Sequence, residues 1–164
     1  MTVQNIFKRE EGFTLIELLV VIGILAILLA ITLIAINPAR QFGLANDTKR
    51  RSDTNAILNA IGQYTASNGG NLPADVSSLP VNTPTALDDT VAPGLRGLCA
   101  ELVPTYLPAL PEDPSIANSQ AGVSDCTANS GAWGSTGYQI EIDANKRITV
   151  IAPSAYQPPI TVTR

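Results

Sequence analysis

Glu17 is the side chain in this sequence least suited to its neighbours. It stands just ahead of a run from Leu18 to Ile36 that carries no charge, where only Gly23 and Thr32 interrupt the aliphatic residues. An ionisable group at the edge of such a run is costly in a bilayer and is by default a functional one. Two readings stand. The carboxylate reaches the headgroups one turn away, or it pairs with an amine. A free amine made at Phe13 would lie four residues earlier, and a neighbouring chain is a second source.

Other site chemistries find little to work with. The chain has no histidine, which excludes histidine-based zinc sites and histidine general bases. Cys99 and Cys126 match no zinc or redox spacing. No nucleophile stands with a plausible base, and no glycine-rich phosphate loop is present. Asp88, Asp89, Glu112, Asp113 and Asp125 are candidates for calcium, but they form no compact loop of oxygen ligands, so they read as loop solvation. The net charge is -4, with 15% charged residues, which gives no general footprint for nucleic acid. Asp47, Lys49, Arg50, Arg51 and Asp53 form a charge cluster that reads first as a solvated helix face. The other readings of it are charge matching between copies, contact with lipid headgroups, or DNA binding, which the cluster alone does not support.

The element that must position Glu17 is the apolar run itself. As a helix, Leu18 to Ile36 is roughly 28 Å long, close to the hydrocarbon thickness of a bilayer. It has no polar face, and so long an uncharged segment exceeds what a domain with a polar remainder can bury. A secretory signal is cut after its apolar run at a small-x-small site. The residues from Ile34 to Ala39 offer none, and Gly43-Leu44-Ala45 fits loosely but lies well past the run. Lys8 and Arg9 precede the run while Arg40, Lys49, Arg50 and Arg51 follow it, so a plain count of cations favours a cytoplasmic C-terminal part. The flank of the first helix usually dominates that count, and the cysteines suit an oxidising side. The sequence is therefore read with its C-terminal part outside the cytoplasm.

Gly12-Phe13-Thr14-Leu15-Ile16-Glu17-Leu18-Leu19, behind a short polar leader with Lys8 and Arg9, resembles the class III signal of type IV pilins and pseudopilins. The resemblance implies that a membrane-embedded prepilin peptidase cuts between Gly12 and Phe13 and methylates Phe13. It also implies that Glu17 attracts the N-terminal amine of a neighbouring subunit during filament assembly. A cut ahead of the apolar segment keeps that segment in the protein, and one amine per subunit matches one carboxylate in low dielectric. Glu10-Glu11 depart from the family pattern, which favours basic or neutral residues there.

Asn37-Pro38 predicts a kink, or a cap with proline opening a new helix. Arg40 to Ser67 reads helical, with Ile57, Ile61 and Tyr64 at helical spacing and Leu58 beside them, a stripe suited to an outer domain. A continuous helix from Phe13 to Ser67 would be about 80 Å long. Ser67 to Pro73, with paired glycines and a proline, ends it. Residues 71–93 read as loop, 94–103 as a short helix carrying Cys99, and Leu107 to Pro114 as an ordered proline loop resembling that of major pseudopilins and related pilins. Residues 137–143 and 147–152 alternate as a hairpin. Cys99 and Cys126 read as a disulfide, worth about 3–4 kcal/mol in the chain-entropy model, with two separate buried thiols as the alternative.

The expectation is an α+β, pilin-like chain: a long N-terminal helix, its first half transmembrane, packed against a small antiparallel sheet. Its parts are a leader at 1–12, a membrane and filament-core helix at 13–36, the second half of the helix at 37–67, and a head at 68–164 with a hairpin at about 137–152. The resemblance implies a structural, non-enzymatic subunit without a cofactor. Its partners would be other copies, the prepilin peptidase, an assembly platform with a cytoplasmic ATPase, and the membrane. The precursor would sit in the bacterial inner membrane and move to a periplasmic or surface filament. The competing reading is a monomeric, membrane-anchored binding protein.

Overall fold

The computed structural model describes residues 12–88, 95–116, 123, 126, 134–157 and 159–164. The chain divides into two compact units, Met1–Gln41 and Phe42–Arg164. In the first, α1 (Leu15–Ile36) has no buried residue. Its large apolar side chains are exposed throughout, from 48% at Val20 to 83% at Ile34. The helix is long and apolar enough to cross a membrane. An apolar surface this large is stable only when lipid or other helices cover it.

Asn37 stops α1 in the left-handed region, at φ 46°. Pro38 then opens α2 (Pro38–Ser67). The Arg40 N–H donates to Asn37 Oδ1 at 3.3 Å. The sequence offered a break or a cap here, and the structure has both: Asn37 interrupts one helix and caps the next. At the other end of α2, Gly69 and Gly70 take positive φ, and the Gly70 N–H donates to the Thr65 carbonyl at 2.8 Å. Two residues that tolerate this conformation thus turn the chain out of the helix.

The second unit holds a four-stranded antiparallel sheet in the order β1-β2-β3-β4. Its strands are β1 (Thr85–Asp88), β2 (Ser135–Ile142), β3 (Ile148–Ala152) and β4 (Ile160–Thr163). Along β2, Thr136, Tyr138, Ile140 and Ile142 are buried, and along β3, Ile148, Val150 and Ala152. The apolar residues among them share one core with Ile57, Leu58 and Ile61 of α2, as the stripe predicted, and with Ala60, and Tyr64 packs partly against it. The architecture is α+β.

The hairpin lies where alternation placed it, but the outer strands differ from expectation. β1 sits in a stretch read as loop, which also contains the short helix α3 (Ala74–Ser77). Its pairing with β2 shifts register between Ala86 and Asp88, so no clean alternation marks it. Helix α4 (Arg96–Leu102) falls inside the segment read as a helix. Asp75 Oδ2 accepts the N–H groups of Gly97 at 2.6 Å and Leu98 at 3.1 Å, satisfying donors that a helix start leaves unpaired. Cys99 is joined to Cys126 with Cα atoms 5.4 Å apart. Nearby, Leu110 and Val123 exchange two backbone hydrogen bonds of 2.8 Å.

Candidate functional site

Gly12 and Phe13 precede α1, and Thr14 caps it from an extended conformation. The Glu17 N–H donates to Thr14 Oγ1 at 3.3 Å. In return, the Thr14 N–H and hydroxyl donate to Glu17 Oε2 at 2.9 and 2.7 Å. This is a capping box, in which each residue satisfies the other's polar groups. Thr14 is thus a local partner of Glu17, beside the headgroups and the amine expected from the sequence. The signal was present, since Thr14-x-x-Glu17 ahead of an apolar run is the sequence mark of that motif.

Among the described residues Glu17 Oε1 has no hydrogen-bond partner, so one carboxylate oxygen is held by the cap and the other is open to a further donor. The Phe13 side chain is 88% exposed. A Cβ added at Gly12 would meet nothing within 4 Å. Packing among the described residues therefore gives no reason for glycine at that position. Lys8, Arg9, Glu10 and Glu11 lie outside the described residues.

A second constellation lies in the Phe42–Arg164 unit, where the charge cluster departs from its reading as a solvated face. Lys49 and Arg51 are exposed, but Asp47 and Arg50 are buried. Arg50 Nε and Nη2 donate to the two carboxylate oxygens of Asp113 at 2.7 and 2.9 Å, and Nη1 donates to Asp47 Oδ1 at 2.9 Å. Nη2 also meets the Ser115 hydroxyl at 2.6 Å. The planar guanidinium fits this arrangement because its fork presents paired donors to a carboxylate. Asp47 accepts the backbone N–H groups of Tyr156 and Gln157 at 2.9 and 3.2 Å.

Two further bonds extend the network. Lys49 Nζ reaches the Glu112 carbonyl at 2.7 Å, and the Tyr138 hydroxyl donates to Asp53 at 2.8 Å. Charged residues of α2 thereby fasten it to the proline loop, to β2 and to the loop between β3 and β4.

The electrostatics follow the contacts. Burial pushes the Asp47 carboxyl up, but the Tyr156 and Gln157 N–H groups and Arg50 outweigh it and hold it below the usual range. Burial opposes ionisation of Asp113 too, and Arg50 and Ser115 overcome it. The Asp113 bond and its charge hold Arg50 protonated above its ordinary value. Burial, then the carboxylate of Asp53, push the Tyr138 phenol up. Asp113 is thus engaged by an arginine inside the chain. No group of three metal-binding side chains gathers among the described residues, and Asp89 and Asp125, weighed for calcium, lie outside them.

No curated protein and no solved structure matches the chain. Residues 7–33 do match the prokaryotic N-terminal methylation motif. That stretch takes in Gly12, Phe13, Thr14 and Glu17 and most of the exposed helix α1. The capping box and most of the bare apolar helix thus lie inside the matched stretch, and the chain carries the prepilin-type signal of the type IV pilins and pseudopilins.

Proposed function

We propose that the chain is the precursor of a filament subunit. It is cut between Gly12 and Phe13 by a prepilin peptidase, methylated at Phe13, and polymerised through α1. The observation that carries this reading is the matched signal running into a helix of 22 residues with no buried side chain. In the precursor that surface is covered by the inner membrane, and in the filament by other copies. The head stands outside the cytoplasm, and an assembly platform and its ATPase drive extraction. Function is structural, without a catalytic step of the chain's own.

Glu17 supplies the register. The capping box leaves one of its oxygens for the Phe13 amine of the next subunit, and a buried carboxylate without a cation is costly. Its main role is to choose one stagger between apolar rods that would otherwise slide. Replacing Glu17 with alanine is expected to leave membrane insertion and cleavage intact while filament yield falls to background. Quantifying sheared filaments against the membrane-bound pool checks this, and wild-type yield from the variant removes Glu17 from the mechanism. A monomeric anchored protein is the competing reading, and it predicts no filaments from either form.

A further inference from the structure

Tyr156 lies in the loop between β3 and β4, and its ring packs where α2 has Gly43. A Cβ built at Gly43 would stand 2.7 Å from two ring carbons, so the close approach requires glycine. The loop is fixed by the buried Asp47 carboxylate, which accepts the Tyr156 and Gln157 N–H groups. Despite this anchoring the Tyr156 side chain is 57% exposed, and Phe42, beside Gly43 in the chain, is 72% exposed. A buried charge and a specific glycine are thus used to hold an aromatic side chain out in the open.

From this we propose that Phe42 and Tyr156 form an interfacial anchor seated in the phospholipid headgroup layer while the subunit awaits assembly. The argument rests on the membrane reading of α1. Gly43 is seven residues past Ile36, a separation of about 10 Å if measured as helical rise. A headgroup layer is about 5–8 Å deep on each side of the hydrocarbon. A tyrosine against Gly43 and a phenylalanine one residue earlier are within reach of that layer. Tyrosine concentrates at such depths because its ring is apolar and its hydroxyl stays wet. Arg40, two residues before Phe42, is also exposed and suits lipid phosphate. The alternative occupant is the apolar helix of a second copy.

The test uses the full-length chain, one copy per phosphatidylethanolamine–phosphatidylglycerol nanodisc. Single-tryptophan probes are made in a Trp133→Phe background, at Tyr156→Trp and separately at Phe42→Trp. The position of Phe42, already open, keeps the test valid should the larger ring at 156 disturb the loop. With a spin-label quencher on the lipid headgroup, both probes lose emission, and both are blue-shifted relative to unfolded chain. Water-like emission with quenching only by aqueous iodide overturns the anchor, as does shielding that arises only in assembled filaments. A Leu25→Trp probe reads the span by itself. Deep-chain quenching at 25 without headgroup quenching at 42 or 156 overturns the anchor and leaves the span standing, and no lipid quenching at 25 overturns both.

Discussion

Replacing Arg50 with methionine will destabilise the Phe42–Arg164 unit by about 3–5 kcal/mol, the cost of breaking a buried ion pair from one side. The substitution leaves Asp47 and Asp113, both buried, without the cation they share. Since a domain of this kind has about 5–15 kcal/mol in hand, the loss is a large share of its stability. Lysine at the same position will recover only part of it, because a single ammonium cannot reproduce the paired donors to Asp113. Neutralising all three, as Asp47→Asn, Arg50→Met and Asp113→Asn, will restore most of the stability, since a network replaced as a unit leaves no orphaned charge. Denaturant unfolding of the detergent-solubilised full chain, followed by near-ultraviolet circular dichroism, measures all three. A single Arg50→Met variant as stable as wild type would contradict the network.

The same network makes the fold sensitive to acid. Asp47 and Asp113 have carboxyls held below the ordinary carboxylate value, so between their folded and unfolded pKa the unfolded chain binds more protons. Their contribution is therefore present above the unfolded value of about 3.9 and is lost as pH falls through the folded values. Unfolding midpoints that decline below about pH 4 in wild type, and less steeply in the triple variant, are the expected pattern.

A second large effect is expected at Gly137. It takes φ 78°, and a Cβ there would lie 2.7 Å from the Asp113 Cβ and 3.0 Å from Ile116 Cδ1. Alanine carries two penalties: a left-handed backbone costing about 1–3 kcal/mol, and overpacking costing about 1–3 kcal/mol. The clash falls on the residue that Arg50 grips, so relaxing it displaces Asp113. Gly137→Ala should lower stability nearly as much as Arg50→Met, and combining the two should cost less than the sum of the separate losses. Additive losses would show that strand β2 and the ion network are independent.

The parts of this fold that were legible in the sequence have strong local signals. A long apolar run without charge has few alternative fates, and Gly12 to Leu19 adds a specific signature to it. The hairpin from β2 to β3 was legible because Tyr138, Ile140 and Ile142 alternate cleanly against Ile148, Val150 and Ala152. The ion network was not legible, because charges on a helix are by default solvated and Asp113, the carboxylate that Arg50 grips with two donors, lies 63 residues away. One local clue was available. Asp47, Arg50 and Thr54 continue the helical spacing of Ile57 and Ile61, so they fall on the buried face of α2. The capping box is legible from Thr14 and Glu17, three residues apart ahead of an apolar run. β1 gave no periodic signal because its register shifts after Ala86. The four-residue strand β4 alternates, with Ile160 buried and Thr161 exposed, but it is too short for a pattern to stand out.

At the root of the proposed function is one covalent event, the removal of the leader ahead of a rod that stays in the protein. Intact-mass analysis with N-terminal sequencing of the chain extracted from membranes of peptidase-positive cells measures it directly. A polypeptide beginning at N-methylated Phe13, and still carrying its apolar helix, is the predicted species. A chain that keeps its leader in those cells, or one cut beyond Ile36, would contradict the account at its root.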